Sequence, residues 1–432
     1  MRKWLYLPIE TEVREFDAKL LITFEAIKRD YHVVFGNPKM AKQLKYLPRG
    51  IFFSKDSDSL AYRLFKDYRK SGGKICVHDE EGFVQFNDED YIKTRLDFPT
   101  LKEVDLYLCW GRHQKKTIDG FKAKYNPRLR TVSTGHPRLD LLRLQERHHE
   151  RFDRILINTK LSAFNLAGKK EGNNFITLLE SHHMLKSEDD YAFYRGYIDY
   201  EEKLFIHYQK LIEELSRAFP DKEIMIRPHP GEELSTWQEW AAALPNVVVE
   251  KSRSVHHWIK SSDLVIHTGC TTGIESALLG KYTVAFTPID DPKYAIDLPN
   301  QVSHVRVATP RKLIEVLHAF YADFRPVVPL PDNQMLHEYI ELGEEPAYRR
   351  IVDELDRLSV RGAPQSLSSR LYFTIRRFLN RNRKWTNTKM KHYNTETLRA
   401  HIEHLLNAYH IAVPPMKIRE LDRNLFLIEK GD

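Results

Sequence analysis

The segment Ile224-Met225-Ile226-Arg227-Pro228-His229-Pro230-Gly231 carries the sharpest chemical signal in the chain. An apolar run that reads as a strand passes straight into an arginine and a histidine, with a proline on each side of the imidazole. Pro228 and Pro230 fix the backbone around His229, so the ring is aimed at little further entropic cost. Arg227 offers a planar, permanently charged donor fork that matches phosphate or carboxylate. The plain alternative is a rigid surface loop with an incidental histidine. The position at a strand's carboxyl end favours function.

A second signal follows in Val265-Ile266-His267-Thr268-Gly269-Cys270-Thr271-Thr272-Gly273-Ile274-Glu275. A buried strand ends in a Gly/Thr loop that opens a helix, whose first N–H groups and dipole suit a phosphate. Gly269 and Gly273 allow close backbone approach, Thr271 and Thr272 add hydroxyl donors, and Glu275 can accept from a ribose. An ordinary helix cap would explain the loop by itself. Combined with Arg227, His229 and Pro230, it makes a nucleotide mono- or diphosphate pocket that includes Thr268. Asn158, at the end of an earlier strand and followed by Thr159-Lys160, faces the same ligand. No GKS or GKT follows the glycines, so this is not a Walker A loop.

Acidic chemistry is concentrated in Val77-His78-Asp79-Glu80-Glu81-Gly82. Three carboxylates at a strand end repel one another, and a raised pKa suits a general base; a solvated acidic turn is the bland reading. No DxD-like partner accompanies them, so no metal is expected. Glu10-Thr11-Glu12-Val13-Arg14-Glu15 is accounted for as a helix start with acids in its first turn. Its functional reading sets Glu10 or Arg14, with Asp79, beside a sugar. Thr134-Gly135-His136-Pro137-Arg138-Leu139-Asp140 reads as a tight structural turn.

The elements that must position these residues alternate. Strands are expected at 3–8, 31–35, 50–53, 74–78, 104–110 and 130–133, with helices over 14–29 and 60–71. A charged helical connector spans about 140–152. The alternation resumes with strands at 154–158, 223–227, 246–250, 264–267 and 282–286, and helices at 199–219, 255–261, 273–279 and 310–321. Such alternation implies βαβ units and parallel sheets. The fold class is α/β: two Rossmann-like domains, 1–145 and 146–345, facing across a cleft, with a helical basic extension over 346–432. The polar insertion 165–190 is expected as a mobile loop.

Composition bounds the rest. The chain has 432 residues, 42% hydrophobic and 29% charged, enough for two ordinary globular domains. Its three cysteines are far apart, which suggests neither disulfides nor a CxxC site and fits a reducing cytoplasm. No run approaches the ~20 apolar residues needed to span a bilayer, and the N-terminus lacks a signal-peptide core. The net charge is +7, and residues 357–395 hold ten Lys or Arg with no acid, leaving the remainder slightly acidic. Nucleic acid is not an expected partner, because no recognition motif accompanies that charge. Leu371, Ile375, Phe378 and Trp385 lie among the basic residues at helical spacing. The segment therefore reads as a helix for an anionic membrane surface, on the inner face of the cytoplasmic membrane.

The motif order, Glu80-Glu81-Gly82, then His229-Pro230, then a hydroxyl-rich strand-to-helix loop, resembles bacterial sialyltransferases and Kdo transferases. The opening Leu-Pro-Ile-Glu-x-x-x-Arg-Glu-Phe-x-x-Lys-Leu-Leu (residues 7–21), Leu47-Pro48-Arg49-Gly50-Ile51 and Asp79-Glu80-Glu81-Gly82 resemble surface carbohydrate biosynthesis proteins. The resemblance covers roughly residues 3–345 and implies a GT-B glycosyltransferase with the donor in the second domain. It implies Glu80 or Glu81 as the base for an acceptor hydroxyl, and His229, Thr271 and Thr272 on the phosphate of CMP. The donor would be a CMP-linked 2-keto acid sugar, such as Kdo or a nonulosonic acid, and the acceptor a lipid-linked or surface glycan, with no further cofactor. Thr-Thr replaces the serine of many relatives, and the stereochemical outcome stays open. The competing readings are a UDP-sugar transferase or epimerase, a glycerophosphotransferase using His78 and His136, and a non-catalytic glycan-binding scaffold at a membrane.

Overall fold

The computed structural model describes residues 2–82, 88–145, 150–168, 174–181, 184–331, 333–358, 360, 362–380, 385, 387 and 389–431. They form two compact units. One contains residues 1–145 together with 337–432, and the other residues 146–336.

The first unit is built on an eight-stranded sheet. Its strands are β1 (Lys3–Pro8), β2 (Tyr31–Gly36), β3 (Ile51–Ser54), β4 (Lys74–His78), β5 (Leu106–Cys109) and β6 (Arg130–Ser133). These six run parallel in the order β2-β1-β3-β4-β5-β6. Both faces are covered by apolar side chains, the condition that continuous runs such as Trp4-Leu5-Tyr6-Leu7 require. Helix Glu12–Lys28 packs on one face, burying Phe16, Leu20, Phe24 and Ile27 at helical spacing.

The second unit is a six-stranded parallel sheet: β7 (Arg154–Asn158), β8 (Glu223–Arg227), β9 (Val247–Val249), β10 (Leu264–His267), β11 (Tyr282–Phe286) and β12 (Val305–Val307). Its order is β12-β11-β10-β7-β8-β9. Counting from β7 as the first strand, this is the 3-2-1-4-5-6 order of a doubly wound sheet, with its switch point between β7 and β10. Helix Glu188–Ala218 is one of its covers, opened by a capping box of Ser187 and Asp190.

Three expectations need correction. The insertion 165–190 contains helix Phe175–Ser181, and the long helix after it begins at Glu188 rather than near 199; residues 169–173 and 182–183 lie outside the described ones. The connector is helical only over Pro137–Leu144, and residues 146–149 also lie outside the described ones. The C-terminal stretch is not a separate helical extension. Helix Ala347–Arg357 packs on Glu12–Lys28, burying Tyr348, Ile351, Val352 and Leu355 in the same core. The hairpin β13 (Met416–Asp422) and β14 (Leu425–Lys430) then adds to the sheet, with β14 antiparallel to β2. It covers an apolar strand edge that would otherwise expose unpaired backbone groups. Helix Leu367–Asn380 packs on β13, and helix Thr395–Ala408 buries Leu398, Ile402 and Leu405.

Candidate functional site

In the second unit the carboxyl ends of β10, β7 and β8 lie side by side, and the strand register pairs Asn158 with both His267 and Arg227. Ligands of doubly wound sheets bind beyond such strand ends at the switch point. Here four buried polar atoms have no hydrogen-bond partner: the amide oxygen and nitrogen of Asn158, Nε of Arg227 and Nδ1 of His267. Burial lowers the Arg227 pKa, opposed by Glu275 and Cys270, so the arginine lies in the field of the Gly/Thr loop. Lys160 is shifted down by burial in the same way, opposed by Cys270 and Glu201. The loops after β7 and β8 thus share an electrostatic environment with the loop after β10.

His229 is exposed, and its Nδ1 accepts the N–H of Gly231 at 3.1 Å. That bond places the proton of the neutral ring on Nε2, leaving this nitrogen as a donor. Pro230, beside it, is also exposed. The loop is anchored by a residue that sequence reasoning missed. Glu232 is fully buried, and its Oε1 accepts from Thr159 Oγ1 at 2.8 Å, His229 N at 2.9 Å and Leu161 N at 3.1 Å. Its Oε2 accepts from Trp237 Nε1 at 2.9 Å. One carboxylate therefore ties the histidine loop to the loop that follows Asn158.

The Gly/Thr loop departs from expectation in three details. Gly269 has φ +56°, a left-handed conformation that suits glycine, but its N–H donates to Asn300 Oδ1 at 2.7 Å. It is therefore already engaged, and the amides left outside the intrahelical ladder are the opening ones of helix Thr271–Leu278. Gly273 makes room for protein, since a Cβ there would sit 2.1 Å from Nε2 of the buried His267. Thr271 is half-buried, and Thr272 is buried with Oγ1 3.1 Å from Cys270 Sγ. Glu275, the expected ribose acceptor, faces His256 Nε2 at 3.0 Å.

Thr268 and Gly269 line a pocket with Lys160, Tyr197, Tyr200, Glu201, Leu204, Tyr294 and Ile296. Glu201 is buried and accepts the N–H of Ala163 at 2.7 Å and of Phe164 at 3.1 Å. Burial pushes its pKa up to about 7, against the opposing pull of Tyr197, those two amides and Lys160. The sequence signal was a polar residue at i+4 from Tyr197 and i+1 from Tyr200 inside an apolar helical stripe.

In the first unit each of the three carboxylates that follow β4 faces a basic side chain, and Arg95 is shared by Asp79 and Glu81. Asp79 is 1% exposed, accepts the N–H groups of Glu81 and Gly82 at 3.0 Å, and pairs with Arg95 at 2.7 Å. It builds the turn and is enclosed, contrary to its expected sugar contact. Glu80 is also enclosed, 3.1 Å from His136 and 3.7 Å from the buried Lys19. That enclosure distinguishes it from Glu81. Glu81 is the exposed member, paired with Arg14 and, at 3.4 Å, with Arg95. Glu10 lies between Lys55 at 2.7 Å and Lys389 at 3.0 Å. Its partial burial, which by itself raises the pKa, is outweighed by these lysines, which bring it to about 2. Glu10, Arg14 and Glu81 thus join one charge network at the ends of β1, β3 and β4, and Lys389 of the C-terminal stretch is part of it.

Among the described residues, His78, Glu80 and His136 bring ligand-type atoms within 4.8 Å. The donor chemistry does not suit a cation. His136 Nδ1 accepts from Arg138 N at 3.2 Å, so Nε2, the atom turned toward Glu80, carries the proton. Lys19 already supplies positive charge there. Burial keeps the His78 pKa down near 3, with His136 adding to the effect.

No family model and no curated protein matches the sequence. Solved structures do match in fold. A Listeria monocytogenes protein assigned as a UDP-N-acetylglucosamine 2-epimerase superposes at TM-score 0.50 and 11% identity, covering 83% of this chain and 97% of that one. The UDP-GlcNAc 2-epimerase of Methanocaldococcus jannaschii gives 0.47 and 11%, over 83% and 100% of the two chains. That of Neisseria meningitidis, bound to UDP-GlcNAc, gives 0.47 and 10% over the same shares. At such identities the likeness is one of fold. The chain has the GT-B class of architecture, two Rossmann-like units carrying parallel sheets.

Proposed function

We propose that this protein is a nucleotide-sugar enzyme that binds the phosphates of a UDP-linked sugar at the carboxyl ends of β7, β8 and β10. The observation that carries the reading is the set of unpartnered buried atoms on Asn158 and Arg227, adjacent in register beside a helix start. Buried polar groups without partners are costly, and a bound phosphate with its ribose would satisfy them. UDP is favoured over the CMP of the sequence resemblance because the fold match at TM-score 0.50 is to a protein assigned to UDP-N-acetylglucosamine. In this reading Arg227, the His229 Nε2–H and the amides of Thr271 and Thr272 stabilise the negative charge that develops as the sugar–phosphate bond breaks. Glu81 takes a proton from an acceptor hydroxyl if the reaction is transfer. Epimerisation instead requires proton exchange at a sugar carbon. Glu201, with a pKa of about 7, is the carboxyl group suited to that within the second unit.

Calorimetric titration with UDP, CDP and CMP tests the binding claim. UDP should bind tightest, and Arg227→Gln should weaken it about ten- to a hundredfold, the range for losing a charge-assisted hydrogen bond. Preference for CMP would restore the CMP-sugar reading, and binding of no nucleotide would sink both. Proton NMR of UDP-sugars in heavy water, without acceptor, then separates the reactions. Deuterium incorporation at a ring carbon marks epimerisation, and turnover only on adding acceptor marks transfer.

A further inference from the structure

Helix Leu367–Asn380 is amphipathic in an unusual sense: one face is buried and another is both apolar and exposed. Phe373 is 2% exposed and joins the core beneath the sheet, and the helix lies on β13. Away from that contact, Leu367 is 82% exposed, Leu371 60%, Ile375 49%, Phe378 74% and Leu379 66%. Their spacing of three, four and one residues places them on one continuous side of the helix. Five large apolar side chains in one stripe exceed the scattered exposure normal for a surface, and a contiguous patch of this kind marks an interaction site.

The charges around the stripe say what covers it. Arg370 and Arg377 are exposed on the same helix, and residues 357–395 contain no acid. The 3-10 segment Pro38–Tyr46 is fastened alongside by stacking of Tyr46 on Tyr372, with ring centroids 3.8 Å apart. It and the turn after it bring exposed Lys45 and Arg49 beside the start of the helix. Lys45 and Arg49 line a groove of about 800 Å³ with Ser366, Ser368 and Tyr372, beside the start of the helix. Two acids of β13 border the helix: Asp422 is buried and already bound by Arg376 at 2.8 Å and Asn380 at 2.8 Å, and the half-buried Glu420 lies in the field of Arg377, so neither presents a free negative charge beside the stripe. A partner protein would have to offer an apolar strip edged by acids, whereas an anionic bilayer offers acyl chains below phosphates by its nature. An apolar stripe with arginines and lysines at its margin is the arrangement of a helix lying in a membrane interface.

We infer that helix Leu367–Asn380 is a docking element for an anionic phospholipid surface. Leu367, Leu371, Ile375, Phe378 and Leu379 enter the acyl boundary, while Arg370, Arg377 and the Lys45–Arg49 groove meet headgroup phosphates. This holds whichever sugar reaction the second unit performs, because no residue of that unit takes part.

The test is flotation of the full chain with large unilamellar vesicles of phosphatidylcholine alone or of phosphatidylcholine and phosphatidylglycerol at about 7:3. The wild type should float with the mixed vesicles, stay behind with the neutral ones, and be released by 0.5 M salt, roughly as the Debye length shrinks to a few ångströms. The double variant Leu371→Gln with Phe378→Gln should lose binding at least about tenfold. Arg370→Gln with Arg377→Gln should lose on the order of thirtyfold, about fivefold per basic residue near the surface. All four side chains are exposed, so circular dichroism and thermal midpoint should not change. Absence of wild-type flotation, equal binding to neutral vesicles, or unaltered binding by either variant would overturn the proposal. So would light scattering showing a wild-type dimer that the Leu371/Phe378 variant dissolves, because the stripe would then be covered by a second copy.

Discussion

Glu232 and Glu201 are both buried carboxylates of the second unit, yet their surroundings give them different work. Glu232 accepts four hydrogen bonds, two of them, from Thr159 and Leu161, joining the segments after β7 and β8. Glu232→Ala leaves those donors buried without partners, at about 1–3 kcal/mol each, so a loss of several kcal/mol is expected. Glu232→Gln keeps one acceptor oxygen and should lose less. Urea unfolding followed by tryptophan fluorescence checks this order, since Trp237 is one of the donors. Glu201 instead carries a raised pKa of about 7. In the unfolded chain it ionises near pH 4.5, while in the folded chain it still holds its proton up to about pH 7. The folded state therefore binds more protons in that window, and stability contributed by this group falls as pH rises from about 4.5 to 7 and then levels. Glu201→Gln should flatten that slope, measured as thermal midpoint against pH. An unchanged slope would show that another group titrates there.

Gly36, the last residue of β2, controls an entire element. Its φ is +122°, and an added Cβ would lie 2.1 Å from the carbonyl oxygen of Asn424. Asn424 is fully buried at the turn between β13 and β14, donates to Lys391 O at 2.7 Å and accepts from Tyr393 N at 2.6 Å. The close backbone approach at Gly36 thus lets the C-terminal hairpin and the segment before helix Thr395–Ala408 dock together. Gly36→Ala should destabilise the first unit by roughly 2–4 kcal/mol, combining backbone strain with overpacking. Hydrogen exchange should show lost protection in β13 and β14 first, with β7 to β12 unaffected. Local elements were legible in the sequence because hydrophobic period and glycine stops are local; β1, β4, β7, β8, β10 and β11 have their expected limits. The hairpin was not, because its pairing with β2 joins residues about four hundred positions apart in the chain.

At the scale of the molecule, the first unit is a discontinuous domain that must wait for its last residues. Helix Ala347–Arg357 fills its core, and the hairpin covers the β2 edge. A chain truncated after Leu336 should be insoluble or bind a hydrophobic dye, as an uncovered edge and core face would dictate. The segment 146–336, by contrast, carries a complete sheet and should fold and, on the proposed reading, bind UDP by itself. Expression and dye binding of both fragments check the pair; a soluble, dye-free 1–336 chain would refute it.

The sequence by itself determined that two α/β alternations follow one another, and which loops hold the Arg-His, Gly/Thr and acidic groups, because strand, turn and proline signals act over a few residues. Tertiary structure alone decided which of those groups are accessible. Asp79 and Glu80 are enclosed beside Arg95 and Lys19, while Glu81 is left outside. It also decided that Glu232 anchors the histidine loop and that the basic C-terminal stretch completes the first sheet. Burial and ion pairing depend on which distant segments meet in space, and residue spacing along the chain does not record that.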